Sequence, residues 1–237
     1  MKTLTIRLTA PLQSYGNEAT FARRTTSDHP SKSAVIGMVA AALGYRRDDQ
    51  RISDLNKLTF AVRVDQPGRI LEDFQTVEWK KDKRKVTYRD YLQDAVFVVA
   101  LGSNDEALIN QIDEALRYPR FQLFLGRRSN VPAGPLKIET FSDSNPVDAL
   151  STLKWQASEW YQKKKAAHSS FKAELFADAA LIPNGREMMV KDRAESFDQR
   201  NRRFSFRAVT KKYVEFKTKT NIDVSHSEGG HDAMGAV

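Results

Sequence analysis

The segment Ala34-Val35-Ile36-Gly37-Met38-Val39-Ala40-Ala41-Ala42-Leu43 holds no charged side chain. Its length and its alanines favour a helix; Ser31 or Ser33 can cap its start, and Gly44 ends it. A helix that is apolar nearly all round has no side to give to water, so it must be sandwiched against a sheet. At this length it is far too short to span a bilayer.

The strands that could cover it lie on both sides in the chain. Thr3 to Thr9 alternates like a half-buried strand, with Leu4, Ile6 and Leu8 on one face. A long loop follows, from Pro11 through Arg23-Arg24 to Pro30. Leu58 to Val64 reads as a second strand, ended by Pro67-Gly68, and Asp94 to Leu101 as a third, central one. Ala107, Leu108, Ile112, Ala115 and Leu116 fit an amphipathic helix that Pro119 stops. Phe121 to Leu125 reads as the fourth strand. The order β-α-β-β-α-β predicts an α+β fold with a ferredoxin-like or RRM-like core over residues 1–135.

An insertion between the second and third strands, at about 74–91, has β-prone flanks and a polar middle, so a projecting β-hairpin is expected. From Glu78 to Tyr91 it mixes basic side chains with Trp79, Tyr88 and Tyr91. Charge runs are usually solvated surface, but interleaved aromatics add a way to stack on bases while Lys and Arg meet phosphates. Residues 136–225 read as a small β-rich region. Val147 to Tyr161 is helical in part, and Lys163-Lys164-Lys165 forms an exposed link. Strands are expected over Ala173–Ile182, Met188–Asp192 and Phe204–Phe216, with Pro183-Asn184-Gly185 a turn. Residues 226–237 read as a flexible tail.

Thirty-eight Lys and Arg against 30 Asp and Glu give a formal charge of +8 in 237 residues, which suits a polyanionic partner. There is no cysteine, hence no disulfide framework, thiolate metal site or cysteine nucleophile, and a reducing, cytoplasmic setting is expected. Met1-Lys2-Thr3-Leu4 reads as the start of a strand rather than a signal peptide. Of the four histidines, at 29, 168, 226 and 231, no pair has metal-ligand spacing, so neither a metal nor a cofactor is expected. His29 is the candidate general base for RNA cleavage, with Tyr15 or Lys32 assisting, although Asp28-His29-Pro30 is equally natural as an exposed turn. Leu125-Gly126-Arg127-Arg128-Ser129 places two guanidiniums and a hydroxyl after a glycine, a good phosphate receptor.

Several ordered segments resemble the CasD family of CRISPR Cascade, subtype I-E. These are Pro11-Leu12-Gln13-Ser14-Tyr15-Gly16, Lys32-Ser33-Ala34-Val35-Ile36-Gly37 with Ala41-Ala42-Leu43-Gly44, Tyr88-Arg89-Asp90-Tyr91-Leu92-Gln93-Asp94-Ala95 with Val99-Ala100-Leu101, and Leu125-Gly126-Arg127-Arg128-Ser129. Arg203-Phe204-Ser205-Phe206-Arg207 and Asp223-Val224-Ser225 are less distinctive. The resemblance implies a RAMP protein with an RRM-like core and a hairpin thumb that holds the 5′ handle of the CRISPR RNA without cutting it. It also implies two protein partners, the Cascade backbone subunit and the large PAM-reading subunit, with target DNA met indirectly and no membrane involved. Related subunits of subtype I-C process precursor RNA, which keeps an endoribonuclease as the alternative. The thumb segment from Phe74 to Tyr91 is shorter than the family leads one to expect.

On this reading the RNA contacts are Gln13, Tyr15, Arg23, Arg24, Lys32 and Ser33 from the first loop and helix start. The thumb adds Lys80, Lys81, Lys83, Arg84, Lys85, Tyr88 and Arg89, and the glycine turn adds Gly126, Arg127, Arg128 and Ser129, with Tyr15 or Tyr88 stacking on bases.

Overall fold

The computed structural model describes residues 1–16, 22–167 and 169–218. The tail expected at 226–237 and the histidines at 168, 226 and 231 lie outside them. In chain order the elements are β1 (Lys2–Thr9), β2 (Leu12–Gln13), β3 (Arg23–Arg24), α1 (Lys32–Leu43), α2 (Arg51–Asp54), β4 (Thr59–Gln66), β5 (Arg69–Lys80), β6 (Lys83–Gln93), β7 (Val96–Ser103) and α3 (Glu106–Arg117). After these come β8 (Lys137–Phe141), α4 (Pro146–Thr152), α5 (Glu159–Lys165), β9 (Ser170–Asp178), β10 (Glu187–Ser196) and β11 (Arg203–Lys217). The fold is mixed α+β, and no helix among the described residues is long and apolar enough to cross a membrane.

Seven strands form one antiparallel sheet in the order β10-β11-β9-β4-β7-β1-β8. α1 lies against it as its composition requires, with Val35, Ile36, Val39 and Ala42 all but sealed from solvent. Ser31 is the cap: its side chain accepts from the Ala34 N–H, while Gly44 takes φ 81° and closes the C-terminus. α3 packs beside α1 through Ile109, Ile112 and Leu116, capped by Asp105. A second apolar cluster on Ala61, Val98, Ala100, Leu175 and Ala177 is covered by Val147 and Leu150 of α4.

The expected strand Phe121–Leu125 does not form. Arg120 and Phe121 donate their N–H groups to the last carbonyls of α1, at Ala42 and Ala41, and Leu125 donates to Asn130 O at 2.7 Å. With those donors committed to a helix end and a loop, no ladder can run there. The place beside β1 is taken by β8, in register from Thr3↔Phe141 to Arg7↔Lys137. Lys163-Lys164-Lys165 is not a link but the last turn of α5, where three cations oppose the negative end of the helix dipole.

The inserted hairpin is longer than the sequence suggests. β5 and β6 pair from Arg69↔Gln93 to Lys80↔Lys83, with Asp82 in the left-handed region (φ 60°) at the turn. At ~3.3 Å per residue its 12-residue strand spans about 40 Å. The hairpin leaves the sheet between Gln66 at the end of β4 and Val96 at the start of β7, which face each other in the register.

Candidate nucleic-acid interface

Period-two geometry sorts the hairpin into two faces. Phe74 and Tyr88 face each other across the strands on one side, with Glu78 and Arg84 nearer the tip; Asp73 and Arg89, and Val77 and Lys85, share the other. Phe74 is 69 % exposed and Trp79 65 %, and neither side is covered by another layer. Lys80, Lys81, Lys83, Arg84 and Lys85 are all exposed around the turn, with the Lys83 ammonium 5.9 Å from the Trp79 ring centroid. Aromatic planes beside cations on an extended ribbon are what an unpaired nucleic-acid strand needs: faces for bases and charges for phosphates. Phe74 was not among the expected contacts. The available signal was its spacing, since Phe74 and Tyr88 stand nearly equidistant from the Lys81-Asp82 turn.

The base of the hairpin is rooted. β2 pairs antiparallel with Leu92–Gln93, β3 runs parallel to Tyr88–Arg89, and Asp90, Tyr91 and Leu92 are buried. Arg127 belongs to this root. Its guanidinium donates to Asp90 O at 3.0 Å and Arg24 O at 2.8 Å and sits 4.5 Å over the Tyr91 ring, so it clamps β6 to β3. Its fork is therefore committed to backbone carbonyls, whereas Arg128 and Ser129 are exposed. Gly126 has φ 96°, and a Cβ there would overlap the Ser14 carbonyl oxygen, so this glycine lets two backbones meet. Arg23 pairs with Glu72 and approaches Asp90 at 3.8 Å, and Arg24 lies exposed on the same short strand. Arg89 is half-buried, and its Nε is buried without a hydrogen-bond partner.

Three expected contacts are core residues instead. Gln13 is fully buried and donates to Ala95 O at 2.7 Å, and the Tyr15 hydroxyl, 2 % exposed, donates to Gln13 Oε1 at 2.7 Å. The Tyr15 ring packs edge-on to Phe97 at 6.0 Å, and burial pushes its phenol far above the usual range, so it can neither stack on a base nor exchange a proton readily. Lys32 is 5 % exposed: its ammonium meets Asp178 at 3.2 Å and its N–H meets Asp192 at 2.8 Å. Arg207 completes that cluster, bridging Asp178 and Asp192 at 2.8 and 2.7 Å, and ties the start of α1 to β9, β10 and β11. Burial holds the Lys32 ammonium below the ordinary lysine range, against the pull of Asp178. Ser33 is partly buried, with its hydroxyl 3.2 Å from that of Ser31.

His29 has an acid partner that spacing did not reveal, the adjacent Asp28. Nδ1 and Asp28 Oδ1 are 2.5 Å apart, and this hydrogen bond holds the Asp28 carboxyl below its usual range. The ring stacks on Phe176, with centroids 4.1 Å apart and planes 5° from parallel. The groups expected to assist it make other contacts: the Tyr15 hydroxyl bonds Gln13, and the Lys32 ammonium meets Asp178. Among the described residues no group of three or more His, Asp and Glu side chains could hold a metal ion.

Comparison with known proteins places this geometry in a family. The family model described as CRISPR-associated protein (Cas_Cas5) matches residues 3–217. The CRISPR system Cascade subunit CasD of Escherichia coli (strain K12) is 34 % identical over 169 residues, 62 % of this chain and 75 % of that protein. A solved structure titled "CRISPR RNA-guided surveillance complex" contains a chain 31 % identical to this one, with TM-score 0.73 and 92 % of both chains covered. Another, "Crystal structure of Cas protein", is 30 % identical with TM-score 0.65, covering 92 % of this chain and 96 % of that one. With nine-tenths of its length matched in both sequence and fold, the chain belongs to the CRISPR-associated protein (Cas_Cas5) family.

Proposed function

We propose that this chain is a Cascade subunit that binds the 5′ handle of a CRISPR RNA and does not cut it. The observation that carries the reading is the hairpin: two long, uncovered strands with a basic tip and an exposed Phe74–Tyr88 pair, rooted in a buried base. Lys80, Lys81, Lys83, Arg84, Lys85, Arg24 and Arg128 meet phosphates, and Phe74, Tyr88 and Trp79 offer stacking faces. The unpartnered Arg89 Nε is a donor at the hairpin's base. The strand order β8-β1-β7-β4, with α1 and α3 as its crossovers, supports the ferredoxin-like description of the N-terminal core. Exposed apolar side chains such as Ile70 and Val77 suit protein neighbours more than RNA, and the backbone subunit and the large PAM-reading subunit are the partners this reading assigns. The target DNA is then read by guide pairing rather than by this chain.

The endoribonuclease alternative rests on the His29–Asp28 contact. Against it, the two groups assigned to assist His29 are engaged in other contacts, Tyr15 with Gln13 and Lys32 with Asp178. One experiment separates the two: purify the assembly through a tagged copy of this chain, sequence its RNA, and incubate repeat RNA with the pure wild-type and His29→Ala proteins. One guide RNA species with a common 5′ handle, and repeat RNA left intact by both proteins, is the expected result. Site-specific cleavage that disappears in His29→Ala would overturn the reading.

A further inference from the structure

The acids on the Phe74–Tyr88 face of the hairpin are not alike. From root to tip that face carries the pairs Ile70↔Leu92, Glu72↔Asp90, Phe74↔Tyr88, Thr76↔Val86 and Glu78↔Arg84. Glu72 is bound to Arg23, and Glu78 stands 3.5 Å from Arg84. Asp90 is 8 % exposed, and its Oδ1 is closed to solvent with no hydrogen-bond partner. The Arg23 guanidinium, 3.8 Å from that oxygen, is within ion-pair range but beyond hydrogen-bond reach.

A buried acceptor without a donor costs free energy, and in a native fold such a group calls for an explanation. Asp90 cannot turn away from the problem, because its backbone is pinned. Its carbonyl accepts from Arg127 at 3.0 Å and from the Ser14 hydroxyl at 3.3 Å. Tyr91 and Leu92 beside it are buried, and β3 runs along the preceding residues of β6. The carboxylate is therefore held in place with an acceptor to spare.

A carboxylate repels phosphate, so its use on a face that meets RNA is to accept from the edge of a base. Tyr88 lies on the same face two residues along β6, about 7 Å away at ~3.3 Å per residue. A base stacked on the exposed Phe74–Tyr88 pair spans that gap with its own ring and one hydrogen bond of about 2.9 Å. The movable group beside Oδ1 is Arg23. Its side chain is 54 % exposed, and exposed side chains change rotamer within nanoseconds, so an RNA phosphate can draw it off Glu72.

We infer that Asp90 reads one base of the bound RNA: its carboxylate accepts the exocyclic amine of a base stacked at Tyr88, and so selects against uracil. Adenine, cytosine and guanine each carry such an amine; uracil has none and turns carbonyl oxygens toward the carboxylate. The inference rests on the handle-binding reading and adds a base selection that cations meeting phosphates cannot make.

The test uses the full chain and synthetic copies of the handle RNA sequenced from the purified assembly, each with one base replaced by uracil. One position should lose about tenfold in affinity, as for a single well-placed base contact, and the others much less. Asp90→Leu is close in shape and accepts nothing. It should weaken the native handle by about the same tenfold and abolish the uracil penalty at that position. Asp90→Asn keeps one acceptor without the charge, so it should retain part of the penalty, and it decides the matter if the leucine variant melts early. Neither variant should melt earlier than wild type without RNA, since Oδ1 holds no hydrogen bond. A second set of copies, each with one 2′-deoxy sugar, covers the other donor that RNA offers. A scan that is flat in wild type, a penalty that survives in both variants, or an Asp90 dependence that follows a 2′-hydroxyl would overturn the assignment and leave handle binding standing. Early melting of both variants would make Asp90 a structural counter-ion of Arg23 and overturn it too. Equal affinity of wild type for the handle and for unrelated RNA would overturn it together with the handle reading.

Discussion

Gly126→Ala should destabilise the protein by about 3–5 kcal/mol, placing it among the most damaging single substitutions available to this chain. A left-handed φ costs a side-chain-bearing residue about 1–2 kcal/mol. The new methyl group would also occupy the position of the Ser14 carbonyl oxygen, so the two backbones must separate. Separation breaks the Ser14 N–H bond to Leu125 O at 3.1 Å and displaces Arg127 from Asp90 O and Arg24 O. Stability and hairpin attachment should fall together. Urea unfolding followed by circular dichroism measures the first, and a loss under 1 kcal/mol would show that the loop has another conformation open to it.

Asp65→Ala should cost a similar ~3–5 kcal/mol, for an electrostatic reason. Arg63 and Asp65 are both fully buried on β4 and form a two-pronged pair, with Nε to Oδ1 at 2.6 Å and an Nη to Oδ2 at 2.8 Å. Arg63 also donates to the carbonyls of Leu150, Leu153 and Lys154, and Asp65 accepts from the Gln156 N–H at 2.6 Å. This pair fixes the segment after α4 to the sheet. Without Asp65 the guanidinium keeps three carbonyls but loses its counter-charge in a site closed to water. Asp65→Asn preserves the shape but removes the same charge and turns one acceptor into a donor facing Arg63 or Gln156, so it should lose nearly as much. A distinctly smaller loss for Asp65→Asn would mean that packing, not charge, sets the cost.

Much of the fold was legible because its elements announce themselves locally. The apolar run from Ala34 with its Ser31 and Gly44 ends, the alternation in β1 and the turn beside Asp82 need no distant information. The misread strand shows where local reading stops. Phe121–Leu125 has the composition of a strand, but its flanking N–H groups are claimed by α1, whereas β8 (Lys137-Ile138-Glu139-Thr140-Phe141) is a short edge strand with only alternate apolar positions. The hairpin tip could be seen as a candidate site because exposure follows from its own pattern. Burial of Lys32 could not, because its carboxylate partners stand 146 and 160 residues away. Arg127 and Arg128 look equivalent as letters and differ only in what surrounds them: one clamps the root of the hairpin and the other faces solvent.

That difference sharpens the most direct measurement of the central claim, handle-RNA affinity as a function of salt for two variants of equal charge loss. One removes Lys81, Lys83 and Arg84 at the hairpin tip; the other removes Lys163, Lys164 and Lys165 at the end of α5, each by substitution with alanine and each checked for folding. If the tip holds the RNA, its variant should lower the slope of log K against log salt by about 2, at about 0.7 per lost contact, while the α5 variant changes it by much less. A lysine-triplet variant that loses as much affinity and slope as the tip variant would contradict the account, showing that the handle meets only a diffuse positive surface and not the hairpin.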